Sequence, residues 1–380
     1  MLRIFMKIIS MAAMFLMISG WAAAGSLEPP SGPAPTMKSL QDIYDKVAIG
    51  TEITSVPYQI TSSGFYYFTK NLNSPNQTGI TITANNVTLD LMGFTLSGPI
   101  LAGGDHHGIY MNGRSNVEIR NGTVRSFPNY AIFESGNDGK GHRIINIRAV
   151  GNGEGIILRS RGNLVKECTA ASNRYGGIYA ASGSTVIENI VYDNFQGIST
   201  GSASTVMGNT ASGNRFAGIF TADGSTVTGN IAYGNSYAGI IAYHGSTVTG
   251  NTAYENGENG ITAYVGTITG NTVYNNSNNG ISSSGKSTVI GNSAYQNGND
   301  GIYLGVSGST VTSNTAHDNG RHGILSGSGS AVIGNTATHN QNYGILLGGY
   351  NLVDQNMVID NVAGNMNPCP SCVFGTNLSP

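Results

Sequence analysis

Charge is scarce in this chain: 10% of its 380 residues are Asp, Glu, Lys or Arg, against about 25% in an ordinary soluble domain. With 18 basic and 20 acidic residues, it lacks the basic surplus that a nucleic-acid binder uses to neutralise phosphates. Three cysteines are too few for a disulfide scaffold, and two near neighbours cannot close a tetrahedral zinc site. Beyond the first 24 residues no apolar run approaches the ~20 residues a spanning helix needs, so no membrane span is expected once a leader is removed. Sustained runs of helix formers are missing as well. Low charge with 55 glycines suggests disorder, but Val, Ile and Ala recur regularly and the 39% hydrophobic content is enough for a core.

The first stretch, residues 1–24, has Arg3 and Lys7, an apolar segment, then Ala22-Ala23-Ala24. That is the order of an export signal cleaved after Ala24. The mature chain is then expected in the periplasm, at the cell surface or outside the cell. Residues 25–50 hold a Pro/Gly linker and one short amphipathic helix carrying Leu40, Ile43, Tyr44 and Val47, an N-terminal cap.

What is abundant is repetition. A Gly-Ile pair or a close variant places Ile at 80, 109, 132, 156, 178, 198, 219, 240, 261, 281, 302, 324 and 345. One Asn follows each "STV"-like segment at 189, 209, 230, 251, 271, 292, 314, 335 and 356, and a second Asn follows five residues after the first at positions from 194 to 340. Three marks held in step with a period near 21 define a solenoid. Leucine-rich repeats need several Leu per unit, calcium-binding nonapeptides need Gly-Gly-x-Gly-x-Asp, and left-handed hexapeptide helices need a multiple of six. None fits. The expected fold is all-β, a single right-handed parallel β-helix over residues 51–365, with about 13 coils stacked at roughly 4.8 Å. Val248, Ala253, Ile240 and Ala242 should face inward, and Thr247 and Tyr254 outward. Stacked Asn amides can donate and accept along the axis, and Asn and Gly suit the left-handed backbone of tight corners.

"YQITSSGFYYFTKNLN" followed by "GITITANNVTLDLMGFTLSGP" resembles the opening of exported bacterial right-handed parallel β-helix repeat proteins, of the pectin-lyase-like superfamily. The "VTGNTAY" units are similar to coils of periplasmic nitrous oxide reductase maturation proteins and of carbohydrate-binding or sugar-cleaving β-helices. The resemblance implies a polysaccharide or cell-surface glycan as partner. It leaves activity open, because that superfamily holds lyases, hydrolases, epimerases and non-enzymatic binders. A lyase of that kind would need an acidic Ca²⁺ cluster and an Arg base, and a polygalacturonase-like hydrolase would need Asn-x-Asp, Gly-His-Gly and Arg-x-Lys. None of those strings occurs. The favoured reading is therefore a monomeric binder without catalysis or cofactor. The alternative is a polysaccharide lyase, with Ca²⁺ where the chemistry needs it.

Candidate residues follow from where polar groups concentrate. Residues 105–174 hold 16 charged residues, whereas 176–350 hold ten, so catalytic candidates are Asp105, His107, Arg120, Lys140, Arg143 and Arg148. "GGDHHG" offers His106 and His107 as metal ligands, although neighbours on an extended segment point to opposite sides. Asp300 and His322 share one register, and so do Asp318 and His339; both pairs are expected as exposed ion pairs, with copper binding implied only by the resemblance. Tyr192, Tyr233, Tyr254, Tyr274 and Tyr295 share an outward register that Ser212 interrupts and His317 continues. They make either a platform for sugar rings or a self-stacking ladder. Tyr175, Phe195, Phe216 and Tyr237 form a second file at a coil corner. Cys168 replaces Asn in the first ladder and is expected as a buried free thiol. Residues 366–380 carry Cys369 and Cys372, expected as a local disulfide pinning the tail.

Overall fold

The regular coils are built from strands of three to five residues whose middle or flanking Val, Ile and Ala alternate with Thr, Tyr and Ser, the period-two pattern of a half-buried strand. In one coil these are Ile240–Ala242, Ser246–Thr249 and Thr252–Tyr254. The structure, a computed structural model, describes residues 50–99, 104–136 and 138–379. The predicted export signal and helical cap lie outside them. Among the described residues there is no helix, and thus none long and apolar enough to cross a membrane.

The described strands form two parallel sheets, a broad one of 28 strands and a narrow one of 15. Coil n pairs with coil n+1 throughout, so the isoleucines of the repeat register directly: Ile198 on Ile219, Ile219 on Ile240, Ile240 on Ile261. All four are fully buried. The narrow sheet shows 15 turns rather than the 13 read from the sequence. The extra two contain Tyr58–Ile60 and Gly364–Met366, terminal coils that lack the Gly-Ile mark. Fifteen coils make a rod on the order of 70 Å.

Polar ladders hold the corners. The Asn251 side-chain oxygen accepts from the backbone N and the Nδ2 of Asn230, each at 2.9 Å. Its own Nδ2 donates to the Val227 carbonyl and to Asn271 Oδ1, again at 2.9 Å. The same pattern runs from Asn189 to Asn377 and, in the second ladder, from Asn152 to Asn361. The left-handed residue is not the ladder Asn but the one before it, as in Gly250 (φ 63°), Glu255 (φ 54°) and Gln296 (φ 54°). A third file, not apparent from the sequence, carries Ser184, Ser204, Ser225 and Ser246, each hydroxyl accepting from the backbone of the coil before it.

Candidate functional site

The early coils break the period: their narrow-sheet strands are Ile109–Met111, Tyr130–Glu134, Glu154–Leu158 and Gly176–Ala180. Their outward face carries one register of Tyr110, Phe133, Ile157, Tyr179 and Ser199, and the next coil places Phe220 there. Two depressions adjoin along this face. One, of about 520 Å³, is lined by Glu154, Ile157, Arg159, Gly176, Tyr179 and Gln196, among others. The second, about 280 Å³, is lined by Asp105, Asn129, Tyr130, Glu154 and Tyr175, among others. Glu154 borders both, so they read as one groove running across coils.

His107 sits at one end, 5% exposed. Its ring lies 5.3 Å from Tyr110, 5.2 Å from Tyr130 and 5.3 Å from Phe133. Burial in this aromatic cage lowers its pKa, and Asp105, whose Oδ1 lies 3.7 Å from Nε2, pulls the other way. Nδ1 is buried without a partner. Asp105 itself is exposed and accepts from Asn129 Nδ2 at 2.6 Å. Glu154, half-buried, is raised by desolvation against the opposing pull of Arg159. Tyr130 is raised by desolvation and by Glu154. The Arg159 guanidinium lies over the Phe133 ring at 5.1 Å, a cation–π contact that holds it at the groove edge. The floor is open at Gly176, where a Cβ would meet only ordinary contacts, 3.5 Å from Glu154 Oε2 and 4.0 Å from Ile157 Cδ1.

The structure separates the sequence-read candidates. Asp105 lines the groove, whereas His107 is buried behind it, against the Tyr130 ring. Arg120, Arg143 and Arg148 are on the broad sheet, and Lys140 bridges Ser115 and Arg161 beside it. Arg120 is paired with Asp90 at 2.7 Å and Glu118 at 2.9 Å, and Arg143 with Glu118 at 2.9 Å. Two carboxylates thus hold these guanidiniums in a structural network. Arg148 lines a separate depression with Met92, Asn121 and Asn146. Glu154 and Arg159 count in the sequence only among the 16 charged residues of the early coils, and Tyr130 and Tyr179 are not singled out there, because none of the four recurs as the same residue from coil to coil.

His106 is half-buried beside the enclosed His107, and among the described residues no three His, Cys, Asp or Glu side chains gather to hold a metal ion. Asp105 and Glu154, the carboxylates lining the groove, fall short of the oxygen-rich shell Ca²⁺ requires. Ca²⁺ does not fit this site.

The tyrosine register is occupied by itself. Tyr233, Tyr254, Tyr274, Tyr295 and His317 stack with centroids 4.9–5.0 Å apart and planes within 4°. Both faces of each inner ring are covered, leaving edges to solvent. Tyr192 stands apart, across Ser212. Phe195, Phe216 and Tyr237 stack likewise.

Two expectations are corrected. Asp300 and His322 are buried, at 0% and 3% exposure, not an exposed ion pair. They extend a corner ladder in which Asn279 Oδ1 accepts from the Asp300 backbone, Asp300 Oδ1 from the His322 backbone and His322 Nδ1 from the Tyr343 backbone. Asp318 pairs not with His339 but with the adjacent His317, at 2.7 Å. Cys168 is a buried free thiol; desolvation pushes it up to about 12. Its Sγ lies 3.5 Å from the Ile144 carbonyl, where a ladder Asn would place its Nδ2. Cys369 and Cys372 are disulfide-bonded.

A family model for the right-handed β-helix region matches residues 107–253 and 247–363. The chain belongs to the right-handed β-helix family. A comparison with curated protein sequences gives no match. Among solved structures, this β-helix is similar to the A-module of an Azotobacter vinelandii mannuronan C-5 epimerase, at 16% identity and TM-score 0.50, covering 84% of this chain and 91% of that one. A double mutant of the periplasmic alginate epimerase matches at 16% identity and TM-score 0.40, covering 82% and 76%. DFA-IIIase from Arthrobacter chlorophenolicus matches at 12% and 0.34, covering 78% and 74%. These likenesses are likenesses of fold.

Proposed function

We propose that this β-helix binds a polysaccharide in the narrow-sheet groove of its early coils. The observation that carries the reading is the groove's composition across successive rungs. It presents Tyr130, Tyr175 and Tyr179 beside Asp105, Asn129, Glu154, Arg159 and Gln196. Sugars are recognised by this combination, an aromatic surface for the C–H face and fixed polar groups for hydroxyls. A groove that crosses rungs suits a chain better than a single ring. The Azotobacter module, a mannuronan C-5 epimerase, acts on a polysaccharide on the same fold. An export leader in residues 1–24 would place the chain where such glycans are.

A second reading, turnover of an acidic glycan, is supported by one observation. His107 lies behind the Tyr130 ring with Nδ1 unpartnered and its pKa lowered by burial, so an imidazole able to accept a proton stands one ring away from the groove. Arg159 at the groove edge would meet a uronate carboxylate.

Affinity electrophoresis against uronate-containing and neutral polysaccharides tests the binding reading. Gly176→Leu fills the floor without backbone strain, because Gly176 has no positive φ. We expect it to weaken binding roughly tenfold or more, about 1.4 kcal/mol. Unaltered affinity in a folded Gly176→Leu protein would place the glycan elsewhere. Ultraviolet-absorbing unsaturated products, or changed uronate composition by NMR, would move the assignment from binding to catalysis.

A further inference from the structure

The outward face of the broad sheet repeats another pattern, far from the groove residues in sequence. In five successive coils the strand before the first ladder Asn reads Thr226-Val227-Thr228, Thr247-Val248-Thr249, Thr267-Ile268-Thr269, Thr288-Val289-Ile290 and Thr310-Val311-Thr312. The central residue is fully buried in every case, so the flanking pair faces outward. In-register pairing aligns Thr226, Thr247, Thr267, Thr288 and Thr310 in one file, and Thr228, Thr249, Thr269, Ile290 and Thr312 in the next. Thr185 and Thr205 extend the first file upstream.

Three properties make this more than a stripe of strand-favouring residues. The two files form a two-dimensional lattice, about 4.8 Å from coil to coil and about 6.6 Å between the two threonines of one strand. Among the described residues these nine threonine side chains make no hydrogen bond within the chain; Thr226, Thr247, Thr267 and Thr310 are exposed, and Thr228, Thr249, Thr269, Thr288 and Thr312 are half-buried. From Thr205 to Ile333 neither file contains a charged residue. β-propensity alone does not explain the choice. The equivalent outward register of the narrow sheet takes Phe220, Ile241, Thr262, Ser282, Tyr303 and Leu325 in the same stretch of chain.

A rigid, neutral array of hydroxyls and methyls at these two spacings is suited to an ordered, uncharged partner, and a crystal of water is one. The coil and strand repeats lie near oxygen–oxygen repeats in planes of hexagonal ice. The hydroxyls can anchor waters at those positions while the methyls sit between them. The lattice is set by backbone hydrogen bonds on both sides of each strand, so little ordering is needed on binding. Charges, which would hold water in a competing shell, are absent from it. A crystalline polysaccharide would call for exposed aromatic faces, and these files contain none. We propose that the Thr-x-Thr face binds ice. This is independent of the groove and of its ligand.

Growth of single ice crystals in nanolitre drops of the purified protein tests it. Faceted crystals are expected, with freezing held below melting by a gap that widens with protein concentration. A Thr249→Lys/Thr267→Lys variant should lose that gap while its circular dichroism melt is unchanged. Ser282→Lys, on the narrow sheet, should keep it. Should the lysine variant fail to fold, Thr249→Val/Thr269→Val removes only hydroxyls from the same lattice and should narrow the gap. Smooth disc-shaped growth with the unmodified protein would overturn the proposal, and so would a gap that none of these threonine variants alters. Retention on microcrystalline cellulose without any effect on ice would assign the face to a crystalline glycan instead.

Discussion

Asn251 ties three coils together with one amide. Truncation to Ala would strip the acceptor from two buried donors of Asn230 and the donor from the Val227 carbonyl. Asn230 Nδ2 keeps the Val206 and Thr228 carbonyls, which leaves the Asn230 N–H and the Val227 carbonyl short; at about 1–3 kcal/mol each, Asn251→Ala should destabilise by at least about 2 kcal/mol in urea or guanidinium denaturation. His142 is the opposite case, a buried ring whose two nitrogens make no well-formed hydrogen bond, the Arg114 and Val117 backbone lying near enough only to pull weakly on its proton. Desolvation lowers its pKa to about 4, against a smaller upward pull from the backbone at Arg114 and Val117. The unfolded chain therefore takes up a proton near pH 6.5 while the folded chain waits until about pH 4. Stability is complete above 6.5 and is lost as pH falls through that window, by about 3 kcal/mol from this residue. His107 and His322, both lowered by burial, push the same way. Denaturation at pH 7 and pH 4.5 should show the loss, and His142→Phe should reduce it.

At the scale of a strand and its stack, the Tyr register divides structure from binding. Rings stacked face to face along the axis shield the sheet beneath and offer a sugar only edges between Tyr233 and His317. Replacing Tyr233, Tyr254 and Tyr274 with Ser removes three stacked contacts at about 0.5–1.5 kcal/mol each. The expected result is a lower melting temperature with glycan affinity per folded molecule unchanged, measured by calorimetry and affinity electrophoresis on the same samples. Ser212 already stands in this register, so the strand accepts the residue. The groove strands differ because their aromatic rings do not continue as a stack. Ser199 leaves a gap between Tyr179 and Phe220, and that gap is part of the open floor.

The whole solenoid is one coil repeated, which explains how much of it could be read directly. A residue's vertical neighbours are its own copies about 21 positions away, so period in sequence becomes contact in space. The Ile file, both Asn ladders, the buried Cys168 and the outward Tyr register are visible on that basis alone. The terminal coils escaped the count because they lack the Gly-Ile mark, and Asp300 and His322 escaped because a polar pair reads as exposed until a ladder is seen to enclose it. The groove is a different matter. Asp105, His107, Tyr130, Glu154 and Arg159 lie on coils of unequal length, where no period relates one residue to another, and burial around His107 depends on three rings brought in by separate strands. Sequence therefore determined the repeating architecture, because each coil satisfies the next one with like residues. Only the tertiary structure decided which charged residues meet, which are neutralised in pairs on the broad sheet, and which tyrosines keep a face open. Those outcomes depend on how irregular turns rotate side chains about the axis, and no linear spacing encodes that rotation.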